Sequence, residues 1–252
     1  MDPTKLAIGA GTAVLIAGGG YGVSTLFSQE PIYLKTATVG TFGEDFQLHF
    51  ADASGNENDS WWSSRFSEKY KSETAQSNDF KNLSGFDKLK EKCNEAYKKA
   101  TKTDISPDED SDQSKAKYES DIWIFCSIDG VKPLTIGESV NEEPDFKDGG
   151  QHVSKLGGTK KKKLISTKNS SNQKFWDRQA KAFFLPKENK DSLGKRASDA
   201  GAGFKTLYDD QNKRATKDLK DACETRYKDT SDSGNKDNET LKFCSLQGYK
   251  GS

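Results

Sequence analysis

Apolar residues follow two regimes along this chain. From Leu6 to Phe27 there are 22 residues without a charged side chain. At ~1.5 Å per helical residue, that length crosses a bilayer core of ~30 Å. The pattern predicts an N-terminal transmembrane helix, and its glycines (Gly9, Gly11, Gly18, Gly19, Gly20 and Gly22) would let a second helix approach closely. A cleaved signal peptide is the rival reading, with Lys5 ahead of an apolar Leu6–Ala17 stretch. No clean small-residue cleavage site follows, and apolar character resumes at Val23, Leu26 and Phe27. A retained single-pass anchor in the cell membrane is therefore expected. Lys5 before the span tilts the body toward the extracellular side.

Beyond the span, the apolar pattern occurs twice. Leu89, Lys90, Cys93 and Tyr97 recur, at the same spacing, as Leu219, Lys220, Cys223 and Tyr227. Phe125-Cys126-Ser127 recurs as Phe243-Cys244-Ser245, each followed three residues later by glycine, Gly130 and Gly248. Upstream, Trp61-Trp62 with Tyr70 echoes Phe175-Trp176 with Phe184. Three blocks in one order, which include every cysteine, mark a duplicated unit. In the middle block Phe86, Leu89, Cys93 and Tyr97 fall on one helical stripe, as do Ala215, Leu219, Ala222, Cys223 and Tyr227. The upstream aromatic blocks read as shorter amphipathic helices. Asp121–Ile128 is rich in β-branched and aromatic residues, which predicts a short strand; a buried helical turn is the other reading of so short a run. Leu241–Leu246 is a poorer version of it.

The expected fold class is thus α+β and mainly helical: an N-terminal transmembrane helix, then two diverged copies of a small helix-helix-strand repeat. The boundaries read as an anchor over 1–30, a stalk over 31–60, copy 1 over 61–143, a linker over 144–174 and copy 2 over 175–252. The linker assignment rests on Gly149-Gly150, Gly157-Gly158 and the run Lys160–Lys163.

Charge narrows the partners. The 39 basic residues balance 39 acidic ones, so no overall field steers the chain onto nucleic acid, and no nucleic-acid partner is expected. Arginine is confined to Arg65, Arg178, Arg196, Arg214 and Arg226, which leaves few planar forks for phosphate. The hydrophobic share is 32%, which predicts a thin core for the body.

Few residues carry candidate chemistry. The histidines, His49 and His152, lie outside the repeated blocks. Neither copy therefore brings its own base for a thiol nucleophile. No cysteine pair has zinc-ligand spacing, and no glycine-rich phosphate loop occurs. Acidic runs such as Asp108-Glu109-Asp110 read as solvated loops and Lys160–Lys163 as spacer. Catalytic, cofactor-binding and metal-binding residues are all read as none, with no cofactor. Disulfides fit the even cysteine count best. Four cysteines allow three connectivities, and the duplication favours pairing within each copy, Cys93 with Cys126 and Cys223 with Cys244.

The Gly/Ala-rich apolar N-terminus, the Leu-Lys-x-x-Cys-x-x-x-Tyr blocks and the aromatic-Cys-Ser blocks resemble the large paralogous sets of uncharacterised proteins in haemotropic mycoplasmas. That resemblance implies a surface-exposed, variable protein and carries over no catalytic residue. The expected function is a membrane-anchored host-interaction or antigenic protein. Its expected partners are the membrane, through residues 6–27, and a host-cell surface or host protein. A hydrolase acting on host material and a structural membrane protein associating through its Gly-rich helix are the alternatives.

Overall fold

Three antiparallel backbone bridges frame each copy. In copy 1, Tyr33 pairs with Ala51, Thr41 with Ala100 and Phe50 with Ser127. In copy 2, Thr135 pairs with Ile165, Lys155 with Thr230 and Leu164 with Ser245, in the same order. These bridges belong to a computed structural model that describes residues 30–35, 37–106, 112–186, 192–198 and 201–248.

Beside the first bridge of each copy an asparagine ties the two backbones together. Ile32 N donates to Asn58 Oδ1 at 2.9 Å, and Asn58 Nδ2 donates to the carbonyls of Ile32 and Asp52. Trp62 Nε1 donates to the same Asp52 carbonyl at 3.0 Å. Copy 2 repeats the clamp: Leu134 N donates to Asn172 Oδ1, Asn172 Nδ2 donates to Leu134 and Ser166, and Trp176 Nε1 donates to Ser166 at 2.9 Å. One amide side chain satisfies both a donor and two acceptors, which buried backbone demands.

Helices supply the rest. Copy 1 carries α1 (Asp59–Ser64), α2 (Phe86–Tyr97) and α3 (Gln113–Asp121). Copy 2 carries α4 (Gln173–Phe184), α5 (Phe204–Asp209), α6 (Thr216–Lys228) and α7 (Asn235–Cys244). The expected stripes are buried: Leu89, Cys93 and Tyr97 on α2, and Leu219, Cys223 and Tyr227 on α6. Each such leucine contributes roughly 2 kcal/mol. The cysteines pair within the copies, Cys93 with Cys126 and Cys223 with Cys244, at Cα separations of 5.6 and 5.9 Å. Tyr97 and Tyr227 donate to the Cys126 and Cys244 carbonyls, tying each helix to its bridge.

Two expectations of the fold class are corrected. The aromatic-Cys-Ser blocks are helical, not strands: α3 continues as a π-helix over Ile122–Cys126, and the second block is the end of α7. Only the end of each block meets extended backbone, Ser127 at Phe50 and Ser245 at Leu164, and the residues before it bond along the helix. Ser127 Oγ and Ser245 Oγ then donate to the carbonyls four residues back, Trp123 and Leu241. Gly130 and Gly248 turn the chain away at φ of 66° and 60°. The other correction concerns the membrane. No helix among the described residues is long and apolar enough to cross a membrane, and the expected span 6–27 lies outside the described residues. The transmembrane helix and the single-pass placement with an extracellular body are therefore unsupported.

The stretches read as stalk and linker are packed. Phe42, Phe46 and Phe50 from the first, and Leu156, Leu164 and Ile165 from the second, are buried in a core continuous across both copies. Phe42, Phe46 and Phe50 do recur at steps of four, but the run is short, and Leu156, Leu164 and Ile165 fall among glycines and lysines without a period.

The copies meet along a polar-lined seam. Copy 1 inserts the edge Phe42–His49 against α4, where the His49 ring stacks on Phe175 at 4.7 Å and its Nε2 lies 3.0 Å from Gln179 Oε1. Gln179 Nε2 donates to the Phe243 carbonyl, so its oxygen faces His49 and the imidazole proton sits on Nε2. Arg178 grips Asp129 through two nitrogens, at 2.9 and 3.1 Å, and Arg196 pairs with Glu44 at 2.9 Å.

Candidate binding groove

The buried polar side chains hold up the scaffold. His49 is sealed in the seam, with its pKa lowered to about 4 by burial. Asp121 accepts from the backbone of Gln76 and Ser77 and from the Ser77 hydroxyl, and Glu239 takes Ser198 the same way. Burial raises the Glu119 carboxyl. His152 packs its ring near Phe146. Trp62 and Trp176 are fully buried clamp donors, while Trp61 carries the Arg65 guanidinium 4.5 Å from its ring centroid. No group of three His, Cys, Asp or Glu among the described residues could hold a metal. The acidic run at 108–110 lies outside the described residues.

Open space occurs where the copies differ. The clamp tryptophans and the paired cysteines align α1 and its π-helical continuation Arg65–Tyr70 with α4, and α2 with α6. On this frame Asp59 matches Gln173, Phe66 matches Ala180 and Phe86 matches Thr216. In copy 1 the matching positions carry larger side chains and an ion pair between the two helices. Lys90 Nζ reaches Asp59 Oδ1 at 2.5 Å, Phe66 stacks on Tyr70 at 5.0 Å, and Phe86 packs on the core. In copy 2 the aromatic rings have become alanine and threonine, and the carboxylate has become an amide.

Two adjoining open cavities result, sharing Thr216. One, of about 250 Å³, is lined by Thr167, Gln173, Lys217, Lys220, Asp221 and Glu224. The other, of about 600 Å³, is lined by Asp177, Ala180, Lys181, Phe184, Pro186 and Arg214, among others. Between them Thr216 Oγ1 and Gln173 Nε2 both donate to Asp177 Oδ1, at 2.8 and 2.9 Å. Asp177 is thereby committed to the wall.

Cations dominate what is left. Lys220, the counterpart of the paired Lys90, has no hydrogen-bond or ion-pair partner among the described residues. Arg214 Nη1 donates to the Phe184 carbonyl at 3.0 Å, and its guanidinium lies 5.9 Å from the ring centroids of Phe184 and Tyr208. Its Nε is buried without an acceptor, and no carboxylate pairs with it among the described residues. The acids nearby are occupied: Asp221 pairs with Lys217, and Glu224 with Lys228 and Lys168. Burial pushes the Glu224 pKa up, but hydrogen bonds from those two lysines outweigh it and the net shift is downward. A cationic trough with an apolar ledge can take a carboxylate beside an apolar group.

Lys220, Phe184 and Arg214 stand in the sequence only as repeat or charge positions, and nothing marks them as parts of one site. The signal was available in the aligned copies, as two aromatic positions and one charged position that break the likeness, but sequence alone does not show that the three share one crevice. Comparison with protein-family models, with curated proteins and with solved structures found no match.

Proposed function

We propose that this chain is a recognition protein that holds an acidic peptide segment of a partner in the α4–α6 groove. A carboxylate lies on Lys220 and an adjacent apolar side chain lies on the Phe184–Pro186 ledge beside Arg214. One observation carries the reading: where copy 1 has Phe66, Phe86 and the Lys90–Asp59 pair, copy 2 has Ala180, Thr216 and Gln173 lining open cavities, with the cation retained as Lys220. Copy 1 serves as the internal standard for what the fold needs, and copy 2 departs from it at the groove. The disulfide in each copy suits work in an oxidising compartment, where small modules with thin cores are braced this way. Resemblance to the paralogous proteins of haemotropic mycoplasmas adds the expectation that the partner is a host protein.

A labelled hexapeptide of alternating glutamate and leucine, titrated by fluorescence anisotropy against the disulfide-intact full chain, tests this. Binding is expected to weaken roughly tenfold in Lys220→Ala, as for one charge-assisted contact. It should disappear in Thr216→Phe, which restores the copy 1 residue, and survive in Lys90→Ala. No binding to the wild-type chain, or equal binding by Thr216→Phe, rejects the proposal.

A further inference from the structure

Three of the five arginines end on carboxylates. Arg178 pairs with Asp129 and Glu30, Arg196 with Glu44, and Arg226 with Asp229 and Asp237. Arg214 lines the groove. Arg65, just past the end of α1 on copy 1, has no carboxylate partner among the described residues. Its guanidinium lies 4.5 Å from the Trp61 ring centroid, and Nη2 donates to the Ser127 and Ile128 carbonyls at 2.9 and 2.7 Å. Those contacts hold the planar group by one nitrogen and one face. Nη1 and Nε have no acceptor among the described residues, and both keep access to solvent. Burial lowers the Arg65 pKa to about 10, against smaller upward pulls from Tyr97, Asp129 and Glu68. Asp129 is already committed to Arg178. A fixed, partly dehydrated guanidinium with two donor nitrogens unused is preorganised for a carboxylate.

Copy 2 shows what the matching face does when it is used. The clamp tryptophans align Trp61 with Phe175 and Arg65 with Gln179, and the Phe-Cys-Ser blocks align Gly130 with Gly248. On copy 2 this face carries the acidic edge Phe42–His49. His49 stacks on Phe175 at 4.7 Å and meets Gln179 at 3.0 Å, and a Cβ on Gly248 would lie 2.5 Å from Asp45 Cβ. On copy 1 the atoms nearest a Cβ on Gly130 are Arg65 Nη1 at 2.2 Å, Arg65 Cζ at 3.3 Å and the Ile124 carbonyl oxygen at 3.6 Å. Arg65 therefore sets a positive charge at the turn where copy 2 receives Asp45. The edge itself is spent inside the seam, so a second folded copy of this chain cannot supply it.

We propose that the Trp61–Arg65–Gly130 face of copy 1 docks an acidic loop of another protein, which lays a carboxylate on Arg65 as copy 1 lays its Glu44–Asp45 edge on copy 2. Nothing in this inference rests on the α4–α6 groove, which belongs to the other copy.

An acetylated peptide of the edge sequence, Phe-Gly-Glu-Asp-Phe-Gln-Leu-His, serves as the probe. It is titrated into the 15N-labelled, disulfide-intact full chain and followed at the indole N–H resonance of Trp61, assigned as the signal lost in Trp61→Phe. That signal should shift saturably. Affinity should fall roughly tenfold in Arg65→Gln, which carries the residue the fold already uses at position 179. A peptide with glutamine and asparagine in place of its two acids should lose as much. Arg65→Lys, which keeps the charge but not the fork, should bind between Arg65→Gln and wild type, and Lys220→Ala should bind as wild type does. Mass analysis for both disulfides and matching circular dichroism certify each variant as folded. A Trp61 signal that stays in place overturns the proposal, as does equal affinity for the acidic and the amide peptide. Loss of binding in Lys220→Ala overturns it as well, because the peptide then sits in the groove.

Discussion

His49 shows at the scale of one residue how burial decides a charge state. Desolvation in the seam lowers its pKa to about 4, against smaller upward pulls from the Gln179 hydrogen bond and the Asp129 charge. In the unfolded chain the ring titrates near ~6.5. The unfolded state therefore takes the proton first as pH falls, and the stabilisation from neutral His49 is complete above ~6.5 and lost progressively toward 4. Between pH 7 and 5 this one group should remove about 2 kcal/mol of stability. Urea unfolding of wild type and His49→Gln at those two pH values checks it. Parallel pH slopes would show that the imidazole is not sealed. The sequence had placed His49 outside the repeated blocks and assigned it no role, because its partners, Phe175 and Gln179, lie far along the chain.

At the scale of elements, each copy hangs a helix on a bridge through one disulfide and one tyrosine hydroxyl. The cysteines are 33 residues apart in copy 1 and 21 in copy 2. By the chain-entropy estimate, closing those loops contributes about 3–4 kcal/mol each. Cys223→Ser with Cys244→Ser should thus lower stability by about that amount, comparable with the whole margin of a small domain. Calorimetry of the double variant beside wild type measures it, and a loss under about 1 kcal/mol would mean that the chain-entropy account fails here. The helical stripes of α2 and α6 were plain in the sequence because period and burial coincide on one face. The aromatic-Cys-Ser blocks read as short strands or buried helical turns, and they are helical. Their composition suits a strand, but only their last residues meet extended backbone, Ser127 at Phe50 and Ser245 at Leu164, and the residues before them bond along the helix.

For the whole molecule, the ion pair between Arg178 and Asp129 ties the copies into one folding unit. Both side chains are 12% exposed, and Arg178 also reaches Glu30 at 3.1 Å. Burial would lower the Arg178 pKa, yet the Asp129 hydrogen bonds and charge prevail and raise it. Arg178→Ala strands Asp129 beside the seam, and a loss of roughly 2–4 kcal/mol is expected, with Asp129→Asn recovering part of it. Wild type should unfold in one transition. If Arg178→Ala also gives a single transition with an unchanged midpoint, the pair does not couple the copies.

The sequence by itself determined the duplication and the helix faces that are buried, and it favoured pairing the cysteines within each copy. All of these depend on spacing within one copy, and spacing is what a linear sequence records. Only the tertiary structure decided that residues 31–60 and 144–174 belong to the packed body, that the aromatic-Cys-Ser blocks are helical, and that copy 2 has open cavities where copy 1 has larger side chains. Those outcomes depend on partners across the fold: a carbonyl held by Asn58, a cavity lined by Ala180 and Thr216 where copy 1 has phenylalanines, a ring of copy 1 laid on Phe175. A buried polar or aromatic group is fixed by what meets it in space, and no period along the chain encodes that meeting.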